Sequence, residues 1–391
     1  MKTFLILCLL FLSMSSFAAP RVVNGIIKDA TTMLPIESVS IRVQNSNLGT
    51  ISNSEGEFRL VFSDDLNTIQ FSHLNYHVYA YALKTGETEV EIFLEPKSFQ
   101  LSEVVIRSKP VKELLSDAVK SSKEKLEKSI VLNTYYREFV RINETYSSFS
   151  DGLLDYNIKR KSGASDLYVN QSRAFKLTDT PSDEREKNRG AFYLYDVRDA
   201  VEQAYNFKHV NRILNSKSYD FEIETKTDDK GNSLEIVSIL PKEGLELPLY
   251  IGTVVFDAKT KLILEIDVKI SPKHKIYAFD VDIAFLRFKM YEDSRKASYR
   301  IDGEKYILVY NQNKLNAYVN FKGKFDDTFE FMSDMVVSDY KEGEFDFDRS
   351  KRHKERSLFS AGNHFTEEYW KTKNIILLTE EEQKVIDTLN K

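Results

Sequence analysis

The sequence predicts a mainly β protein: a seven-stranded N-terminal β-sandwich, then a larger antiparallel β domain (a curved sheet or half-barrel) with a few helices. Three observations carry this. Aromatic residues are plentiful, 26 Phe and 21 Tyr against 14 Gly, and such rings pack well across antiparallel strands. Alternation of apolar and polar residues at period two dominates the chain, as in "ESVSIRVQN", where Val39, Ile41 and Val43 share one face. Turn clusters such as "DDKGN" and "AKTK" separate these runs at hairpin spacing.

Residues 1–18 have the layout of a secretory signal. Lys2 supplies the positive end, and "FLILCLLFL" is apolar but too short to span a bilayer. Ser16 and Ala18 are the small residues that a cleavage between Ala18 and Ala19 needs. The only cysteine, Cys8, lies inside the apolar stretch, preceded by "LIL" rather than the small residues of a lipid-attachment site. Removal of the signal leaves no cysteine, and so no disulfide, thiol nucleophile or thiolate metal ligand. No later segment approaches the roughly 20 apolar residues of a membrane helix. The expected location is an exported one, periplasm or outer cell envelope, with no transmembrane segment after signal removal. The roughly 370 remaining residues exceed one typical domain, and two is the expected number. With 42% hydrophobic residues the chain can bury a real core. The net charge of −5 is mild and spread along the chain, which argues against nucleic acid as a partner.

Residues 21–107 make up the first domain. "VVNGIIKD" alternates into a turn at "ATTMLP", and "ESVSIRVQN" follows. Then come "GTISNSEGEFRL", "NTIQFSHLNY", "HVYAYAL", "EVEIFLEP" and "LSEVVIR". About seven short strands at this spacing read as a sandwich. Its inward face is Val39, Ile41, Val43, Phe58, Leu60, Ile69, Phe71, Ile92 and Leu94. Within "GTISNSEGEFRL", a calcium loop would need ligands at alternate positions before Gly56, and Ile51 stands where the first should be. The stretch is a turn, with Asn53 and Gly56 as the residues expected to take unusual backbone angles.

The residues Gly25, Asp29, Pro35, Val39, Gly49, Thr50, Gly56, Phe58, Phe71, Ser72, Tyr76 and Leu94, in this order and spacing, resemble the carboxypeptidase-like regulatory domain. That resemblance implies a transthyretin-like β-sandwich, an accessory module without peptidase chemistry. Asn75 stands where the family has Gly, and Asn also tolerates positive φ. "LSEVVIRS" is similar to the segment before the plug of outer-membrane nutrient receptors. The roughly 280 residues that follow are too few for a plug and a 22-stranded barrel, so that reading is rejected.

Residues 108–130 change period. Val111, Leu114, Leu115, Ala118, Val119 and Leu126 form the apolar stripe of an amphipathic connector helix entered at Pro110. Residues 131–391 return to long strands. The first three are "NTYYREFVRIN", "YSSFSDGLLDYNIKR" and "DLYVNQSRAFKL". A polar loop "TDTPSDEREKNRG" follows, then one or two helices within residues 192–216. After the two hairpins come "YAFDVDIAFLRFKMY", "ASYRIDGEKYILVYN", "LNAYVNFKGKF" and "TFEFMSDMVVSDY". A charged loop "DRSKRHKER" and a closing helix near residues 379–389 end the domain. "GTVVFDAKTKLILEIDVKI" resembles the sheet repeat of lipoprotein-carrier half-barrels, which implies an apolar ligand. The "EEYW" ending resembles that of uncharacterised envelope proteins with the same two-part layout.

No pattern of catalysis stands out: H-E-x-x-H, G-x-S-x-G and the P-loop are all absent. His73 and His77 lie four apart in a strand-turn segment, on one face and without a third ligand, so they read as structural. "DGEKY", "FDDTFEF" and "EGEFDFD" could supply paired carboxylates for hydrolysis. Phe345-Asp346-Phe347-Asp348 reads equally as a strand with one wet face. "RSKRHKER" could meet an anionic surface, and reads more simply as an exposed loop. The sequence therefore offers no catalytic, cofactor-binding or metal residue. The expected function is non-enzymatic binding of a protein, glycan or apolar ligand in the cell envelope. Lipid or lipoprotein carriage is the alternative, and glycan or peptide hydrolysis by Asp/Glu pairs the less favoured one.

Overall fold

The computed structural model describes residues 20–63, 67–101, 109–126, 129–159, 164–176, 195–277, 280–283, 286–321 and 325–389. The expected signal peptide, Cys8, the polar loop at 178–190 and most of "LSEVVIR" lie outside the described residues. The fold is mainly β, as expected.

Seven strands form the N-terminal sandwich. β1 (Pro20–Asp29), β4 (Glu57–Ser63) and β7 (Glu89–Leu94) make one sheet, in the order β4-β1-β7. β2 (Ser40–Val43), β3 (Gly49–Ile51), β5 (Thr68–His73) and β6 (Tyr76–Ala82) make the other, in the order β3-β2-β5-β6. All nine residues expected on the inward face are buried between them. Phe58 and Phe71 meet edge to face across the core, 5.6 Å between centroids. Two motif residues also meet: the Tyr76 hydroxyl donates to the Asp29 carboxylate at 2.8 Å. Asp29 accepts as well from the backbone N–H groups of Thr31 and Thr32. The Thr32 N–H first, and then Tyr76, hold its carboxyl below the ordinary value. Gly56 is required by both conformation and space, with φ +74° and only 2.5 Å between a notional Cβ and the Ile27 carbonyl. Neither Asn53 nor Asn75 has positive φ. The turn at Asn53 is made by its side chain, whose Oδ1 accepts from the N–H groups of Glu55 and Glu57.

The remaining strands form one antiparallel sheet of twelve. They are β8 (Phe99–Leu101), β9 (Ile130–Ile142), β10 (Thr145–Ile158), β11 (Ser165–Lys176), β12 (Tyr219–Asp228), β13 (Ser233–Pro241), β14 (Tyr250–Asp257) and β15 (Ile263–Ile270), followed by β16 (Asp280–Ile283), β17 (Leu286–Asp302), β18 (Lys305–Phe321) and β19 (Phe325–Glu342). Their order is β11-β10-β9-β19-β18-β17-β15-β14-β13-β12-β8, with β16 beside β17. "YAFDVDIAFLRFKMY", read as one strand, is thus divided between β16 and β17. Gly303 and Glu304 of "DGEKY" are the two-residue turn between β17 and β18.

Both faces of this sheet are apolar, and each is covered. Three helices cover one: α1 (Val111–Lys125), α2 (Asp199–Tyr205) and α3 (Lys208–Asn215). From the predicted stripe Leu115, Ala118, Val119 and Leu126 are buried, and Ser122 on the same side accepts the Ile263 N–H at 2.8 Å. The sandwich and the chain's end cover the other face. There Ile51 of β3 joins Tyr135, Leu153, Val309, Tyr310 and Val336 of the sheet, with Trp370 and Ile376. Arg42 ion-pairs with Asp302 across the junction, and Arg300 donates to the Ser40 hydroxyl at 3.1 Å.

Two polar segments differ from their sequence reading. After Glu342 the chain leaves the sheet, so Phe345–Asp348 is a loop rather than a strand. Phe347 stacks on Tyr168, 4.5 Å between centroids, and Asp348 accepts the Ser350 N–H of a short 3-10 turn. His73 and His77 sit on opposite arms of the β5–β6 hairpin, not on one strand. Among the described residues no group of three or more His, Cys, Asp or Glu side chains could hold a metal ion.

Buried histidines make the fold sensitive to acid: burial lowers His353, and His73 and His209 more strongly. Burial, then Lys296 and Lys97, push the His73 imidazole down to about 4. Burial pushes His209 down to about 3, with Arg295, Arg212 and Lys208 adding to it and Asp293 opposing. His209 Nδ1 lies 3.1 Å from an Arg212 nitrogen that can only donate, so Nε2 carries the proton toward Gln203 Oε1 at 2.6 Å. The native state keeps both rings neutral, whereas the unfolded chain protonates them near pH 6.5. Their contribution is complete above that pH and is lost as the pH falls toward 4, by roughly 1.4 kcal/mol per pH unit for each ring. Urea unfolding between about pH 7 and 5 measures the slope. The double variant His73→Gln, His209→Gln is expected to flatten it; an unchanged slope would assign the sensitivity to other groups.

Candidate functional site

The β3–β4 connection, which crosses from one sheet of the sandwich to the other within "GTISNSEGEFRL", points its polar side chains at the chain's own C-terminus. After α4 (Glu367–Lys371), residues 372–379 run without regular structure to α5 (Glu380–Leu389). This strap is tied along its length. Arg59 donates to the Lys371 carbonyl, Thr50 Oγ1 to the Ile375 carbonyl at 3.2 Å, and Asn53 Nδ2 to the Leu377 carbonyl at 3.4 Å. The Asn374 side chain, 4% exposed, pairs with both main-chain groups of Val61: Oδ1 accepts its N–H at 2.5 Å, and Nδ2 donates to its carbonyl at 3.2 Å. At the far end the Glu380 N–H donates to Glu55.

Beneath the strap lies a buried polar network on β9, β10, β18 and β19. Arg137 donates to Asp334 at 3.0 Å and to Glu382 of α5 at 2.8 Å. Burial opposes its charge, and Asp334 and Glu382 outweigh that, holding Arg137 above its ordinary value. Asp334 also accepts from Tyr310 and Gln312. Glu382 accepts the Thr379 N–H at 2.9 Å while its own N–H donates to Thr379 Oγ1 at 3.2 Å, the reciprocal box that starts a helix. Asp151 takes a forked ion pair from Arg173 and a hydrogen bond from Tyr135. Burial raises its carboxyl in spite of them.

Between the strap and the edge strand β11 opens a cleft of about 1020 Å³. Arg173 forms part of the wall, its guanidinium 4.4 Å from the centre of the Trp370 ring. Phe365, 43% exposed, meets Trp370 edge on, and Ile375–Leu378 line the strap side. Asn363 is held to β11, its side chain pairing with the N–H and carbonyl of Ala174. Arg59 completes the rim. It is half-buried, none of its ion pairs is found among the described residues, and burial alone lowers its guanidinium from the ordinary value.

The cleft's chemistry is that of recognition. Its one lining carboxylate among the described residues, Glu367, is ion-paired with Lys371 at 3.2 Å. The carboxylates suggested by the sequence lie elsewhere: Asp302 on the junction with the sandwich, Asp346 beside a separate pocket of about 240 Å³. Sequence reasoning named no residue of this cleft. Trp370, the single tryptophan, was the available signal.

A protein-family model, the CarboxypepD_reg-like domain, matches residues 23–106. The sandwich is a CarboxypepD_reg-like domain. Several solved structures are similar to the chain. A DUF1329 family protein from Desulfovibrio piger is 12% identical, with 63% of this chain and 98% of that one covered and a TM-score of 0.30. Lipovitellin, in a structure of its lipid–protein interactions, is 8% identical over 57% of this chain and 26% of that one, with a TM-score of 0.25. A LolA superfamily protein from Nitrosomonas europaea is 6% identical over 61% and 97%, with a TM-score of 0.21. No curated protein matches the sequence.

Asn374→Ala tests how the CarboxypepD_reg-like domain holds the strap. It removes both hydrogen bonds and leaves the Val61 main chain buried without partners, a cost of about 2 kcal/mol. Urea unfolding reads that loss, and limited proteolysis is expected to cut first within residues 371–379. Stability unchanged within about 0.5 kcal/mol would mean that the strap is held elsewhere.

Proposed function

We propose that this is an exported, non-enzymatic binding protein of the cell envelope, which holds its ligand in the cleft between the strap, β11 and the CarboxypepD_reg-like domain. The observation that carries this is the cleft itself. A concave space of this size, with aromatic and aliphatic walls and a few polar groups, is the common form of a ligand site. Arg59 at its rim is a half-buried charge awaiting a counter-charge. The non-enzymatic reading is supported by the one carboxylate that lines the cleft among the described residues, which is ion-paired: acid–base hydrolysis needs two that converge. Export rests on the layout of residues 1–18, with cleavage between Ala18 and Ala19. No helix among the described residues is long and apolar enough to cross a membrane.

Lipid carriage on the helix-covered face is the alternative. A pocket of about 400 Å³ there is lined by Ile213, Tyr219, Tyr250, Ile270, Phe288 and Met290, among others. Packing by α1, α2 and α3 occupies much of the same face, which favours the cleft.

The protein carries its own reporter, because Trp370 is its only tryptophan. A panel of peptides, envelope-glycan fragments and laurate is expected to contain at least one probe that shifts Trp370 emission with a Kd below about 1 mM. Laurate binding with Trp370 silent would move the site to the helix-covered face. No probe binding by fluorescence or calorimetry, or a hydrolytic activity abolished by a point substitution, would overturn the proposal.

A further inference from the structure

Resting on that reading of the cleft, we propose that its ligand is an acidic peptide in extended conformation, which adds as a strand along the strap. The strap's own hydrogen bonds point to this. The carbonyls of Ile375 and Leu377 both turn toward the sandwich, to Thr50 and Asn53. In an extended chain the main-chain groups of alternate residues point to the same side, and those between them to the other. On that pattern Leu378, half-buried at the cleft, turns its N–H and carbonyl groups away from the sandwich, whereas Ile376 is 3% exposed and packs into the core. Neither residue makes a hydrogen bond among the described residues, and both line the cleft. The result is a main-chain donor and acceptor at Leu378 beside an open space, the kind of group that strand addition uses.

Charge decides the sign of the ligand. Arg173 is neutralised by Asp151, and Lys371 by Glu367. Arg59 has no such partner among the described residues, and its donation to the Lys371 carbonyl brings no negative charge. A peptide carboxylate reaching Arg59 would form a charge-assisted pair in a partly dry site. Phe365 and Trp370 offer apolar contact to the side chains between the acidic ones. An acidic glycan fits less well. The amide side chains that would read sugar hydroxyls are engaged: Asn363 with Ala174, and Gln383 with Asp387 at 2.9 Å.

The test uses the full-length protein and Trp370 emission, supported by titration calorimetry. Four probes are compared: a peptide of about ten residues alternating Asp with Val, long enough to span such a groove; its Lys-for-Asp counterpart; the acidic peptide N-methylated at alternate residues; and oligogalacturonate. The acidic peptide is expected to bind, the Lys peptide not to, and the methylated one to bind about tenfold more weakly, having lost its main-chain donors. Arg59→Gln keeps a donor for the Lys371 carbonyl and removes the charge, so it should weaken the acidic peptide with the melting temperature unchanged. Arg59→Glu should abolish binding. Equal binding of the Lys or the methylated peptide overturns the inference and leaves the cleft as a binding site. So does a response to oligogalacturonate alone. Silence toward these four and toward the wider panel removes the cleft as a site altogether.

Discussion

A sheet of twelve strands with apolar residues on both faces has to be covered twice, and the rest of the molecule follows from that requirement. On β9, Tyr135 and Tyr136 are neighbours in sequence, point to opposite faces, and are both fully buried. The helices between β11 and β12, with the connector helix before β9, satisfy one face. Among the described residues no comparable group of helices is left for the other. The CarboxypepD_reg-like domain and the last residues of the chain meet that need together, and the cleft lies where these two covers and the edge of the sheet come together.

Much of this was legible in the sequence, for identifiable reasons. Period-two alternation made the sandwich core readable residue by residue, because each strand there has a single buried face. The switch to helical period at Val111 marked α1 for the same reason. "NTYYREFVRIN" was legible as a strand but not as one buried on both sides, since a run with two buried faces loses its alternation. Phe345–Asp348 misled in the opposite sense: it alternates without pairing, and Phe347 is satisfied by a ring contact with Tyr168 from outside the sheet. The cleft was not legible. Its walls come from Arg59, Arg173 and Trp370, more than a hundred residues apart, and only the packing of both covers brings them together. "GTISNSEGEFRL" was recognisable as a turn, while its outward side chains gave no sign that they would hold the C-terminus.

The charges buried beneath the strap explain how an irregular tail keeps one position. Apolar contacts at Ile376 and Ile386 are tolerant of small shifts along the sheet. Arg137 is not, because its two carboxylate partners come from β19 and from the first turn of α5. Shifting the tail pulls Glu382 off Arg137 and breaks a buried, hydrogen-bonded ion pair, which holds the tail in this register. Glu382 serves twice, starting the helix with Thr379 and anchoring it to the sheet.

Asn363 and Asn374 have one more consequence, for the protein's behaviour in a crowded space. Each lays a side-chain amide against an outer strand, β11 in the large sheet and β4 in the sandwich, and meets one residue's N–H and carbonyl as a neighbouring strand would. An amide side chain has no second row of donors and acceptors to pass on. Pairing ends with it, so at these two places another copy of the chain finds nothing to template against. Two asparagines thus close the open main chain of these outer strands at Ala174 and Val61.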